Sequence, residues 1–359
     1  MVEPIGMKKA IVSLGLIFFA SILFSSEALG VKDQNEATIS IMTQNMDSGT
    51  DLGFVLALEG SPDSVDLTLA EIQASQIPAR ADLLAAQIAA EHPDMVALQE
   101  VTLWRVGPTP ETATQILYDQ LELLLSALAS YGVGYDIVAV NTLTDVALPG
   151  NDGAVRYTDR DALLVRSDRR PPVLHISDTH THIYDAGLDI QGLVVSQGWI
   201  SADVHMGNKH FRLVATHLES PVPGVPEATA VQVAQAGELI HSLRNLPIPV
   251  VLCGDFNSDA NFGSGPDATP SAALIETAGY ADTWRIANPN DPGYTWPLFL
   301  EDQPPPAFFV PFAPFERIDL FFSQGIQVTS AKEVLAPAPT GTVPPYGSDH
   351  AGVMATFQP

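Results

Sequence analysis

Leu252-Cys253-Gly254-Asp255-Phe256-Asn257 sets a carboxylate and an amide two residues apart, just past the apolar run Val250 to Cys253. That run reads as a buried strand. A strand ending in an acid and an amide suits a catalytic rim better than a surface turn. Gln44-Asn45, Gln99-Glu100, Thr216-His217 and Ser348-Asp349-His350 repeat the arrangement, each with polar groups at the end of an apolar, strand-like run. Together they supply what metal-assisted phosphoester hydrolysis needs: hard oxygen ligands, a base and a donor to face phosphate. Asn45 and Glu100 offer oxygens suited to Mg²⁺. Only Glu100 brings a full charge, so a cation held there keeps positive charge with which to polarise a phosphoryl oxygen.

The elements that must position these groups follow from periodicity. Strands are expected from Ala37 to Thr43, Met95 to Leu98, Asp136 to Val140, Ala162 to Val165, Pro249 to Gly254, Ile318 to Phe322 and Val353 to Phe357. Gly192 to Val204 and His210 to Ala215 read as a hairpin about Met206-Gly207-Asn208-Lys209. Helices are expected over Ala81 to Glu91, Thr112 to Tyr131 and Glu227 to Leu243. The second carries the stripe Ile116, Leu117, Leu121, Leu124, Leu125 and Leu128 and stops at Gly132. Asp47 to Pro78 reads as a long loop over the site. Strands fall in neighbouring pairs with helices between the pairs. The expected class is α/β: two packed mixed β-sheets flanked by helices, a four-layer sandwich.

The 359 residues are 46% hydrophobic, enough for a sizeable core in a single large domain. Lys8 and Lys9 precede the apolar stretch Ile11 to Phe24 and then Ser26-Glu27-Ala28. This is the pattern of a cleaved export signal over residues 1–28, ahead of a catalytic domain over 29–359. The stretch is shorter than the roughly 20 residues that span a bilayer, so no membrane segment is expected after processing. A secreted or periplasmic location follows. Cys253 is the single cysteine, so no internal disulfide is available. The net charge is −26, and it survives processing because Glu3 and Glu27 offset Lys8 and Lys9. A chain so acidic is a poor partner for polyanions, whose non-specific binding depends on Lys and Arg.

Asn45, Gln99-Glu100, Thr216-His217-Leu218, Gly254-Asp255-Phe256-Asn257, Arg317-Ile318-Asp319 and Ser348-Asp349-His350 occur in the order of the endonuclease/exonuclease/phosphatase superfamily. The chain resembles that superfamily from about Thr38 to Phe357. The resemblance implies a two-sheet α/β sandwich and a hydrolase that uses Mg²⁺, or Mn²⁺ or Ca²⁺ in its place. It implies that Asn45, Glu100 and Asp349 sit on the metal side. His350 is oriented by Asp319, and Asp255 positions or deprotonates the attacking water. Asn257 donates to the phosphoryl oxygens. His217 assists the leaving group or binds a phosphate oxygen. A phosphodiester is expected over a simple monoester. Nucleic acid and phospholipid headgroup both stand as substrates, and a binding protein that kept the fold but lost turnover is the non-enzymatic alternative.

Other stretches are less directive. Arg160, in Tyr157-Thr158-Asp159-Arg160-Asp161, could clamp a phosphate or form a structural ion pair. The tract from His175 to His182 reads as a solvated loop after Pro171-Pro172 in preference to a metal site. Phe308 to Phe315 is either an exposed aromatic loop facing an apolar substrate or a proline-kinked strand in the core. Tyr294-Thr295-Trp296 is similar to a segment that lines the active site in relatives.

Overall fold

The computed structural model describes residues 38–359 apart from 58–59, 170–172, 191–192, 223, 302 and 336–343. The expected export signal lies outside the described residues, as do Pro171-Pro172. Among the described residues no helix is long and apolar enough to cross a membrane.

One sheet runs in the order Gln327–Val334, Gly352–Gln358, Ile39–Asn45, Met95–Gln99, Ala154–Arg166, Leu103–Gly107, Gln115–Asp119, and Tyr135–Pro149 also pairs with Ala154–Arg166. The other runs Ala281–Asp282, Asp319–Gln324, Val250–Asp255, Lys209–His217, Gly198–Met206, His175–Ile183. Alternation along the strands aims Ile39, Ile41, Met95, Leu163, Phe211 and Val251 into a core between the sheets. The opposite faces are covered by helices. Leu84 and Ile88 of Ile77–Glu91 and Leu124 and Leu128 of Gln120–Ser130 cap the first sheet. Ala236 and Leu239 of Pro226–Ser242 and Ile275 of Ser271–Thr277 cap the second. The four-layer α/β sandwich is therefore the observed architecture.

Register gathers the polar strand ends. Ile39–Asn45 and Met95–Gln99 run parallel with Asn45 opposite Gln99, and Lys209–His217 and Val250–Asp255 run parallel with His217 opposite Asp255. Asp319–Gln324 is antiparallel to its neighbour and begins with Asp319 opposite Asp255. Gly352–Gln358 is antiparallel to Ile39–Asn45, so His350 precedes it at the same edge. Gly254 makes the close pairing possible. Its φ is +144°, and a Cβ there would stand 1.8 Å from the Thr216 carbonyl oxygen. Gly254→Ala is expected to cost about 3 kcal/mol of stability, read from the chemical-denaturation midpoint.

Some expectations are corrected. Asp47 to Pro78 is mostly helical, with Gly53–Ala57 and Pro62–Ala74 leading into Ile77–Glu91. The helix expected from Thr112 begins only at Gln120. Asp119 caps it by accepting from Glu122 N, and Gln115–Asp119 is instead a strand paired with Leu103–Gly107. The strand expected at Ala162 starts at Ala154. The histidine tract is an edge strand, His175–Ile183, with His180 against Asp178 and His182 against Glu238. The aromatic run divides: Phe308 and Phe309 are buried, whereas Val310, Phe312 and Phe315 are exposed.

Candidate active site

Asp255 stands at the centre of the gathered strand ends. Its Oδ2 accepts from Asn45 Nδ2 at 3.0 Å and lies 3.8 Å from Nε2 of both His217 and His350, while Oδ1 accepts from Asn257 N at 2.9 Å. His350 Nδ1 meets Asp319 Oδ2 at 2.8 Å, which fixes the ring and turns Nε2 toward the cavity. Across from it, His217 Nε2 lies 3.3 Å from Asn257 Nδ2, and that amide also donates to the Leu218 carbonyl at 2.9 Å. Asn45 Nδ2 bridges to Glu100 Oε1 at 2.8 Å, and Ser48 donates to Glu100 Oε2 through N and Oγ, each at 2.8 Å. Trp296 Nε1 donates to Asp349 Oδ2 at 2.8 Å. Glu100, His217, Asp255, Asn257, Asp349 and His350 all line one cavity of about 500 Å³. Asp47, Glu100 and Asn257 hold φ of 59°, 53° and 45°, a left-handed conformation that non-glycine residues seldom adopt and that concentrates where function demands it.

The electrostatics separate the acids. Burial alone would raise Glu100, but His217, Asn45, His350 and Ser48 outweigh it and hold its carboxyl below the ordinary range. Burial drives the neighbouring acids the other way: Asp349 to about 7, Asp159 to about 6 and Glu219 to about 7. Burial opposes charge on the histidines too, yet the surrounding carboxylates prevail. Asp255, Asp161, Glu100 and Asp159 lift His217 to about 9, and Asp319, Asp349 and Asp255 lift His350 well above an ordinary imidazole.

The sequence matches the Endonuclease/Exonuclease/phosphatase family over residues 42–350. The chain belongs to the endonuclease/exonuclease/phosphatase family. Among solved structures it is similar to a family protein from Beutenbergia cavernae DSM 12333, with 22% identity, a TM-score of 0.55 and coverage of 89% of this chain and 71% of that one. It is also similar to a mannosyl-6-phosphatase from Bacteroides thetaiotaomicron VPI-5482, with 14% identity, a TM-score of 0.54 and coverage of 89% and 99%. TDP2 from C. elegans is similar at 18% identity, a TM-score of 0.51 and coverage of 91% and 77%. These likenesses are of fold. No curated protein matched in sequence.

As members of this family act on phosphoester bonds, generally with a divalent metal, the residues can be tested for fit to such an ion. Glu100 and Asp349 face the cavity, and the buried Asp47 Oδ2 makes no hydrogen bond, lying 3.2 Å from Arg80 Nη1. This all-oxygen donor set fits a hard divalent cation. Asn45 fits it less directly than the sequence implied. Its Oδ1 accepts from Asp47 N at 2.8 Å and its nitrogen faces both carboxylates, so it braces Glu100 against Asp255. Asp255, Asp319 and His350 also place ligating atoms within 4.8 Å of one another. The Asp319–His350 hydrogen bond accounts for that closeness, so the trio reads as an acid-base array.

Of the sequence-identified residues, Arg160 alone is not brought to the site. Its guanidinium is held by Asp119 at 2.6 Å and by the carbonyl of Val101 at 2.8 Å, a structural ion pair and not a phosphate clamp. Its neighbours in the chain were overlooked. Asp161 Oδ1 lies 3.9 Å from His217 Nδ1, and Asp159 lines the cavity. Period-two alternation would have found them. Asp159 and Asp161 share the parity of Leu163 and Val165, which face the inter-sheet core, whereas Arg160 shares that of Ala162 and Leu164, which face the helices.

Proposed function

We propose that this chain is an exported, Mg²⁺-dependent phosphodiesterase that directs water in line at phosphorus. The observation that carries the reading is the convergence of Glu100, Asp255, Asn257, His217 and His350 on one cavity. A cation held by Glu100 and Asp349, with Asp47 beside them, would supply charge to a phosphoryl oxygen. Asp255 is set to take up a proton of the attacking water, and His350, held charged by Asp319, Asp349 and Asp255, is set to orient that water. Asn257 Nδ2 is set to donate to the phosphoryl oxygens as charge builds on them. His217, held protonated by its carboxylate neighbours, is set to give a proton to the leaving oxygen. Export rests on the charged and apolar pattern of residues 1–28.

Between nucleic acid and a small or lipid phosphodiester, the cavity favours the latter. No lysine or arginine is among the described residues that line it, and the chain carries −26 overall, so a polyanionic strand meets repulsion beyond the reacting phosphate. Hydrolysis of bis(4-nitrophenyl) phosphate by the purified chain in Mg²⁺ is expected, with loss in EDTA and return on adding Mg²⁺. Plasmid nicking and sphingomyelin or phosphatidylinositol hydrolysis run alongside would divide the substrates. 4-Nitrophenyl phosphate tests the monoester. Turnover of no diester under any of these conditions would leave the binding-protein alternative.

A further inference from the structure

The catalytic cavity does not end at its polar residues. Beyond Tyr157 it continues into a recess of about 70 Å³ walled by Leu52, Leu56, Val146, Leu148, Val155 and Ile190. Tyr157 lines both spaces, as do Leu52, Leu56, Val146 and Ile190, so the two share a wall. Trp104 closes the recess, its ring 4.9 Å from that of Tyr157. The polar tip of Trp104 is turned away: its Nε1 donates to the Ser48 carbonyl at 2.9 Å, and Ser48 in turn binds Glu100. The recess is therefore tied through a single residue to the carboxylate on the metal side. Its aromatic walls show it their apolar surfaces.

Two further features set this recess apart from ordinary core packing. Leu52 is held at a φ of 59°, an unusual conformation for a bulky side chain, in the loop that walls both spaces. Leu56, on the next turn of chain, stands 39% exposed beside an apolar space that no side chain among the described residues fills. A pocket with apolar walls and a few polar groups converging at one end is built to take a ligand of the same polarity.

We infer that the recess binds the apolar ester arm of the substrate, so that the preferred phosphodiester carries a short alkyl group on one side of phosphorus. This rests on the phosphodiesterase reading and narrows its substrate class. Each methylene buried there is worth about fourfold in affinity. Because the arm is remote from the bond that breaks, its contacts are the same before and during reaction. The gain should fall on KM and leave kcat alone.

The test uses the full chain with Mg²⁺ and the methyl, butyl and octyl esters of 4-nitrophenyl phosphate. From methyl to butyl, three methylenes longer, kcat/KM is expected to rise about 60-fold through KM, with little added from butyl to octyl because the recess is short. Leu148→Gln and Leu56→Ser should each shrink the butyl-to-methyl ratio toward one. Both side chains are partly exposed, so neither change empties the core. A flat series in the unaltered chain, or a ratio that both variants leave intact, overturns the inference. Calorimetric binding of dibutyl phosphate against dimethyl phosphate gives the same contrast without turnover. Equal affinities overturn the apolar site, whereas tighter dibutyl binding with no hydrolysis of any ester upholds it and removes the phosphodiesterase reading instead.

Discussion

His350→Ala is expected to slow hydrolysis of bis(4-nitrophenyl) phosphate by about 10²–10⁴-fold, the range for loss of a positioned acid-base group. The geometry behind this is specific. Asp319 holds Nδ1 at 2.8 Å, which leaves Nε2 as the ring nitrogen that serves the cavity, 3.8 Å from both Asp255 and Asp349. Alanine also strands the Asp319 carboxylate, 1% exposed, without its cationic partner, at a cost of roughly 3–5 kcal/mol. Lost activity must therefore be separated from lost fold by circular dichroism and thermal unfolding. His350→Gln keeps most of the volume and can still donate to Asp319, so it should regain stability and not turnover. A folded His350→Ala enzyme working near the normal rate would show that the ring has no part in the chemistry.

How much of this was legible beforehand depended on where each residue sits in its strand. Asn45, Glu100, His217 and Asp255 lie at or just past strand ends and Asp349 just before a strand begins, where an apolar run meets polar residues and the break itself is the signal. Asp159 and Asp161 lie inside Ala154–Arg166, a strand that continues past them, so no break announces them. Reading only Ala162 to Val165 as strand removed the alternation that would have sent Arg160 outward to Asp119 and the two acids inward. The same weakness applies to Gln115–Asp119. Ile116 and Leu117 continue a helical stripe by spacing, but pairing with Leu103–Gly107 overrides it and leaves Ile116 60% exposed. Pairing between distant segments sets the extent of both strands: once Ala154–Arg166 is seen whole, alternation places Asp159 and Asp161, whereas at Gln115–Asp119 the local spacing points to the wrong element.

The braces around the site were hidden for a related reason. Arg80 lies in the helix Ile77–Glu91, one residue ahead of the span expected from the apolar spacing. In the fold it is 3% exposed, with Nε donating to the Gly347 carbonyl at 3.0 Å and Nη2 to the Met46 and Asp47 carbonyls at 2.6 Å each. It thus joins the segment after Asn45 to the one before Asp349. Asp47 and Gly347, which mark the two candidate metal-side stretches, are 300 residues apart in sequence and share this one guanidinium.

Asp255→Asn is expected to cost about as much as His350→Ala, again 10²–10⁴-fold, and it carries a signature that a merely structural residue would not. Two donors, Asn45 Nδ2 and Asn257 N, point at the Asp255 carboxylate. An amide can accept through only one atom, so the variant sets one N–H against another at a cost of about 1–3 kcal/mol. The titration of the histidines is the sharper readout. Burial pushes His217 down, and Asp255 leads the carboxylates that bring it up to about 9; the same carboxylate helps to raise His350. Removing that negative charge removes a stabiliser of the protonated rings, so both must release their protons at lower pH. Followed by NMR in the presence of a chelator, where only the protein's own charges act, the two imidazole resonances should titrate below their positions in the unaltered chain. If His217 gives its proton to the leaving oxygen, the alkaline limb of the rate profile in Mg²⁺ should move toward acid with it. A rate loss with both titrations unmoved would mean that Asp255 acts by geometry alone and that the field comes from Asp161, Glu100 and Asp159 at His217 and from Asp319 and Asp349 at His350.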